Sequence, residues 1–229
     1  MPKKSGGSRD LTVRVKTARG RKNSSTRWLQ RQLNDPYVQQ AKRDGYRSRA
    51  AYKMLELDEK FALFKSGQRI LDLGAAPGGW SQVALQKIGK KGSVHGLDLL
   101  EIEPMAGAEF VVMDFMADDA PERLNAMMGG PADVVLSDMA ANTTGHTSTD
   151  HIRIIALCEL AYDFAVQVLN PGGAFVCKVL KGGTENDLLK MMKRDFETVK
   201  HAKPQASRKD SAESYVVAKG FRGKAASDD

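Results

Sequence analysis

The stretch ILDLGAAPGGWSQVAL, residues 70–85, limits what this chain can fold into more than any other part of it. Three glycines and a proline separate two apolar runs, so a strand must end, turn and restart as a helix within a few residues. Glycine reaches φ > 0 and has no Cβ, which lets main chain approach a ligand closely. A turn of this composition inside well-patterned sequence predicts a binding loop.

Around that loop the pattern alternates. RILDLG reads as a buried strand and GWSQVALQKIG as a helix closed by Gly89; SVHGLDL and EFVVMDF are strands, DAPERLNAMM a helix, and ADVVLSDM the next strand. HIRIIALCELAYDFAVQVL is a long apolar-faced helix ended by NPGG. AFVCKVL follows as a strand, ENDLLKMMKRDF as a helix capped by Thr184 with a Met-rich apolar face, and ETVKHAK and SYVVAKG as closing strands. Strands separated by helices need right-handed crossovers, so the expected fold class is α/β: a Rossmann-like, mostly parallel seven-stranded sheet with helices on both faces. Upstream, two short helices are expected. Asn34 or Asp35 caps the first, with Pro36 in its first turn and Gly45 at its end, and Ser48 caps the second.

Charge divides the chain unevenly. Residues 1–53 hold 15 Lys/Arg against 3 Asp/Glu, while the remainder holds 20 against 25, within a net charge of +7. Positive charge confined to one segment is the electrostatic footprint of a protein that meets a polyanion. The expected organisation is a basic, disordered tail over 1–26, a helical segment packed on the core over 27–67, the α/β domain over 68–221 and a C-terminal tail over 222–229. Cys158 and Cys177 lie in apolar surroundings without C-x-x-C spacing and read as small buried thiols. No apolar run nears about 18 residues and no apolar signal segment follows Met1, which predicts a soluble, cytoplasmic protein without membrane contact.

In doubly wound folds ligands lie beyond the carboxyl ends of the strands. The order Gly74-Ala-Ala-Pro-Gly78-Gly79 is not the G-x-G-x-x-G of dinucleotide binding, which argues against a NAD-linked oxidoreductase. Asp72 ends the preceding strand, and an acidic group suits a ligand carrying an ammonium and a sulfonium rather than two phosphates. S-adenosylmethionine is such a ligand. Asp98, twenty residues after Gly78, is placed to accept both ribose hydroxyls, and Asp114, closing the next strand, to take the exocyclic amine of adenine.

DLGAAPGGWSQ, followed by GLDLL, DF and LSDMAAN, resembles the FtsJ-type (RrmJ-like, RlmE) ribose 2′-O-methyltransferases of bacterial ribosomal RNA. The likeness takes in DPYVQQAKRDGYRSRAAYKMLELDEKF upstream and CKVLKGG and SAESYVVAKG downstream, about residues 28–221. It implies a methyl-donor site at Gly78, Trp80, Asp98, Asp114 and Asp138, with Trp80 covering the cofactor. It further implies a catalytic set of Lys53, Asp138, Lys178 and Glu213, a monomer, and a uridine of 23S rRNA in the large ribosomal subunit as substrate. A tRNA or cap ribose methyltransferase of the same fold, and a noncatalytic ribosome-assembly factor, are the alternatives. The chain departs from the family at Lys181, where a Gln-like polar residue is common.

Transfer of a methyl group to a ribose hydroxyl requires alignment and removal of the hydroxyl proton. A lysine serves as base only when neutral; burial and a second ammonium lower its pKa, whereas carboxylates raise it. Lys178 interrupts an otherwise apolar strand, an expensive position unless paired, and is expected to be the base. Asp138 is expected to pair with it and shape the donor site, and Lys53 and Glu213 to hold the ribose. Residues 27–53 interleave Arg27, Arg31, Lys42, Arg43, Arg47 and Arg49 with Trp28, Tyr37, Tyr46 and Tyr52, a mixture that suits looped RNA, although Tyr37 and Tyr52 also read as core. His146 and His151 flank GHTSTDH without Cys or carboxylates at metal spacing, so no metal site is expected.

Overall fold

A computed structural model describes residues 26, 29–30, 32–140, 146–180, 186–208 and 211–223. Apart from Thr26, the basic tail falls outside them, as do Arg27, Trp28, Arg31, Lys181 and Thr184. After described helical residues at 26, 29–30 and 32–33 come α1 (Pro36–Asp44) and α2 (Ala50–Phe61). There follow β1 (Arg69–Leu73), α3 (Gly79–Ile88), β2 (Ser93–Asp98), β3 (Ala108–Val112), α4 (Ala120–Met128), β4 (Ala132–Ser137) and α5 (Thr147–Val168). The last elements are β5 (Leu169–Leu180), α6 (Asn186–Asp195), β6 (Phe196–Ala202) and β7 (Glu213–Phe221).

The seven strands form one sheet in the order β3-β2-β1-β4-β5-β7-β6. The first five are parallel, and β7 inserts antiparallel to both β5 and β6. The order reverses between β1 and β4, and such a switch point opens a crevice at the carboxyl ends of the strands.

Period-two alternation sorts the core onto two faces. Ile70, Val134, Leu136, Val176, Tyr215 and Val217 pack with Met54 and Leu57 of α2 and Val83 and Ile88 of α3. Leu71, Val135, Phe175, Cys177 and Val216 pack on the other face with residues of α4, α5 and α6, including Leu188 and Met192 from the Met-rich stretch. Both cysteines are free and buried. In register, Lys178 stands opposite Tyr215 and Leu180 opposite Glu213. Lys178, Glu213 and Tyr215 therefore share the alternation of Val176 and Val217, the face that α2 covers.

The helix ends follow local chemistry. Asp35 accepts from Tyr37 N–H at 3.1 Å at the start of α1, Pro36 occupies the first turn, and Gly45 closes the helix at φ 75°. Ser48 does not cap α2: Arg49 occupies that position with helical backbone angles, and the Ser48 hydroxyl is buried against Gly79 with no hydrogen-bond partner. Close packing of α2 on the first turn of α3 displaces the cap.

Candidate active site

At the end of β1 the chain folds back through Gly74, φ 77°, and the N–H groups of Gly74 and Ala75 both donate to Leu97 O, at 2.9 and 3.0 Å. A Cβ at Gly74 would run into Met139, so torsion and space both require glycine there. Asp98 braces the far side of the loop: one carboxylate oxygen accepts from Ala76 N–H at 2.9 Å and the other from Leu100 N–H at 3.0 Å. Gly78, φ 97°, then starts α3, whose first N–H groups lack partners within the helix.

A cavity of about 550 Å³ lies against this loop, lined by Gly74, Asp98, Met113, Asp114, Asp138 and Leu157 among others. That volume suits a small molecule bearing a nucleoside. Asp114 is held at the cavity wall by accepting from Met116 N–H at 2.9 Å. Three carboxylates from successive strand ends, sharing the wall with apolar Met113 and Leu157, complement a ligand that is hydroxylated at one end and cationic at the other. The residues present thus fit S-adenosylmethionine.

Beside the cavity two ion pairs meet. Lys178 Nζ lies 2.8 Å from Asp138 Oδ1 and donates to Asp138 O at 2.6 Å. Lys53 pairs with Glu213 and donates to the Tyr215 hydroxyl at 3.0 Å. Tyr215 joins the pairs, because its hydroxyl lies 3.0 Å from Asp138 Oδ1 and also contacts Glu213 Oε1. The two lysine side chains expose only 11% and 12% of their surface. Formally, two positive charges balance two negative ones.

Burial pulls the Lys178 pKa down, but Asp138 and Glu213 outweigh it and hold the group above the ordinary lysine value. Burial alone would raise the Asp138 carboxyl, yet Lys178 and Lys53 reverse this and hold it below the usual range. Burial, with Asp138 and Glu213 adding to it, pushes the Tyr215 phenol well above its ordinary value, so it keeps its proton. In this state Lys178 is an ammonium, and it must shed a proton before it can act as a base.

Asp98, Asp114 and Asp138 thus line one cavity, and Lys53, Lys178 and Glu213 gather beside Asp138. The Trp80 side chain does not line that cavity. Its ring is 3% exposed, packs 5.4 Å from the Tyr215 ring and donates through Nε1 to Ala50 O at 3.0 Å. It locks α2 to α3, and neither Trp80 nor Gly78 is among the residues that line the cavity. Asp72 also turns away from the cavity; it is fully buried and accepts from the Ser81 hydroxyl at 2.6 Å.

The basic and aromatic arm is only partly available to a partner. Tyr52 is buried and packs against Tyr37 and Tyr46, each at a centroid distance of 5.5 Å, so the core reading of Tyr52 holds. Arg47 donates to Glu103 O and Pro104 O at 2.5 and 2.7 Å, and Arg49 bonds Asp35 and Ala206 O. Lys42 and Arg43 remain exposed. Among the described residues no group of His, Cys, Asp and Glu could hold a metal ion, and no helix is long and apolar enough to cross a membrane.

Tyr215 was not singled out by sequence reasoning. The signal was available: in ESYVVAKG it lies two residues beyond Glu213 and so on the same side of the strand.

A reversed β7 between β5 and β6, with a lysine–carboxylate cluster where the sheet meets a nucleoside-sized cavity, defines the class of Rossmann-like methyltransferases. Comparison with known proteins narrows it further. The chain belongs to the FtsJ-like methyltransferase family, whose profile matches residues 46–221. It is 65% identical to ribosomal RNA large subunit methyltransferase E of Paramagnetospirillum magneticum, over 95% of this chain and 91% of that protein. Identity to the protein of the same name from Xanthobacter autotrophicus is 63%, covering 98% and 89%. A crystal structure of a ribosomal RNA methyltransferase from Plasmodium falciparum superimposes with a TM-score of 0.70 at 33% identity, covering 78% of this chain and all of that one.

Proposed function

We propose that this chain methylates a ribose 2′-hydroxyl, that of a uridine, in 23S rRNA of the large ribosomal subunit, with S-adenosylmethionine as donor and as a single copy in the cytoplasm. The observation that carries the reading is Asp138, which lines the cavity and pairs with Lys178 at 2.8 Å. One carboxylate thereby couples a donor site to a candidate base, and every member of the cluster comes from the same chain. The names of the relatives supply the substrate class.

When bound, the donor supplies a methyl group activated on a sulfonium. Asp98 receives the ribose hydroxyls of its nucleoside, Asp114 the exocyclic amine, and the glycine-rich turn that enters the cavity wall at Gly74 allows close approach. Asp138 shapes the inner end of the cavity. Lys53 and Glu213 hold the ribose of the RNA, and Lys178 Nζ, once neutral, takes the 2′-hydroxyl proton. Residues 27–67 bear the RNA, with exposed Lys42 and Arg43 meeting phosphates.

The test is methylation of large-subunit RNA with labelled donor, followed by mapping of the product. The expected product is a ribose 2′-O-methyl group. Lys178→Ala should lower the single-turnover rate by roughly 10²–10⁴-fold, the usual worth of a positioned general base. Lys178→Arg should fail nearly as badly, because guanidinium does not give up its proton. Methylation on a base would overturn the reaction class, and a near-wild-type rate for the arginine variant would overturn the assignment of Lys178.

A further inference from the structure

Tyr215 stands at the centre of the cluster, and the role of Lys178 as base does not by itself account for it. Its ring is fully buried, its neighbours include Trp80, and its oxygen lies between Lys53, Asp138 and Glu213. The Lys53 ammonium has only hydrogens to offer, so the Tyr215 oxygen accepts there. The phenol then has one hydrogen and two carboxylates within reach, Asp138 and Glu213. It can satisfy only one of them at a time.

That choice bears on Lys178. Asp138 Oδ1 is the oxygen that takes both the Tyr215 hydroxyl and the Lys178 ammonium. A hydrogen bond to a carboxylate spreads its charge and weakens its pull on a neighbouring cation. With the hydrogen on Glu213, Asp138 holds the ammonium tightly; with the hydrogen on Asp138, the hold slackens. The other groups facing Lys178 are Glu213 on β7, Lys53 on α2, and Cys158 on α5, whose thiol donates to the Lys178 carbonyl at 2.8 Å. Of these contacts, the Tyr215 hydroxyl is the one that reaches both carboxylates.

We infer that Tyr215 is a positioning residue for the reaction: by giving its single hydroxyl hydrogen to Asp138 it loosens that carboxylate's grip on Lys178 and readies the lysine to release its proton. The inference rests on Lys178 serving as the base. Tyr215 touches neither the ribose nor the methyl group in this role; it acts through Asp138.

The experiment is the single-turnover rate of methyl transfer as a function of pH. Tyr215→Phe keeps the buried ring and removes the hydrogen. Its rate profile should move to higher pH by about one unit, tenfold in proton affinity, and should recover towards the wild-type plateau in alkali. Replacing Tyr215 with 3-fluorotyrosine, a stronger acid and better hydrogen donor, should move the profile the opposite way, and it carries the test if the phenylalanine variant does not fold. Calorimetry with S-adenosylmethionine confirms that each variant retains its donor site. A uniform loss of rate with no displacement of the profile, or displacement of both variants in one direction, overturns the inference. Lys178→Arg in the same assay separates the two levels. A fast arginine variant sinks the base reading itself, whereas a dead one beside an unmoved Tyr215→Phe profile sinks only the role of Tyr215.

Discussion

Replacing Trp80 with phenylalanine distinguishes a structural role for the indole from a cofactor-covering one. The ring is 3% exposed, packs against Tyr215 and donates to Ala50 O at 3.0 Å, so it fastens the first turn of α2 to α3. Phenylalanine keeps one six-membered ring and loses the remaining atoms and the N–H. Partial truncation of a buried aromatic costs roughly 1–2 kcal/mol in packing and residual cavity. The lost hydrogen bond adds about 1 kcal/mol. The expected destabilisation is therefore about 2–3 kcal/mol, which for a chain of this size lowers Tm by about 4–12 °C. Urea unfolding measures the loss, and calorimetry with S-adenosylmethionine measures the donor site. Donor affinity should change by less than about threefold, since the side chain does not line the cavity. Unaltered stability combined with a tenfold or greater loss of donor affinity would refute this reading and restore the indole to the cofactor.

Asp98→Ala should weaken donor binding by on the order of 1–3 kcal/mol, the cost of unmade hydrogen bonds to a charged group, and calorimetry showing unchanged affinity would rule out its contact with the donor ribose. Asp72 gives a pH-dependent prediction. Burial pushes its carboxyl up to about 7, and the negative charges of Asp138 and Asp98 add to the effect, while Ser81 opposes it. The folded state then holds a proton that the unfolded state has already lost, so stability falls as pH rises from the unfolded value near ~4 through the folded value. Asp72→Asn, which keeps the Ser81 contact without the charge, should match wild type in acid and exceed it in urea midpoint in mild alkali. Parallel pH profiles for the two proteins would contradict the assignment.

The sheet and both of its helical layers were legible because nearly every strand is apolar and ends at a turn residue. Gly45, Gly89 and Gly129 close helices at positive φ, and Pro36 opens one. The three strand-end carboxylates were legible for the same reason: a polar residue ending an apolar run has to face the crevice or be buried at a cost. Trp80 and Ser48 were misread because both are decided by how α2 sits on α3, a contact between segments about 30 residues apart. Propensity carries no information about such contacts. Arg47 and Arg49 look like ligands for phosphate in composition, yet each meets main-chain carbonyls that only the folded chain brings near. Tyr215 shares the side of Glu213 by the period of two alone, but its place opposite Lys178 needed the register of β5 with β7, which no local pattern specifies.

That register also explains how a site for a polyanion can contain buried carboxylates without repelling its substrate. The antiparallel pairing of β7 on β5 brings Glu213 and Tyr215 to the strand end where Lys178 and Asp138 already stand. Lys53 from α2 then completes a cluster of two ammonium and two carboxylate groups. Such a cluster exerts little net field at a distance, so it contributes little to drawing RNA in. On the proposed function, attraction falls instead to the basic first quarter of the chain, where exposed Lys42 and Arg43 on α1 precede Lys53 by only about one helix. In the proposed reaction the charges that gather RNA and the charges that move a proton are thereby kept apart. Asp138 and Glu213 raise the proton affinity of Lys178 within the cluster, while Lys42 and Arg43 stand on α1, outside that set of pairs.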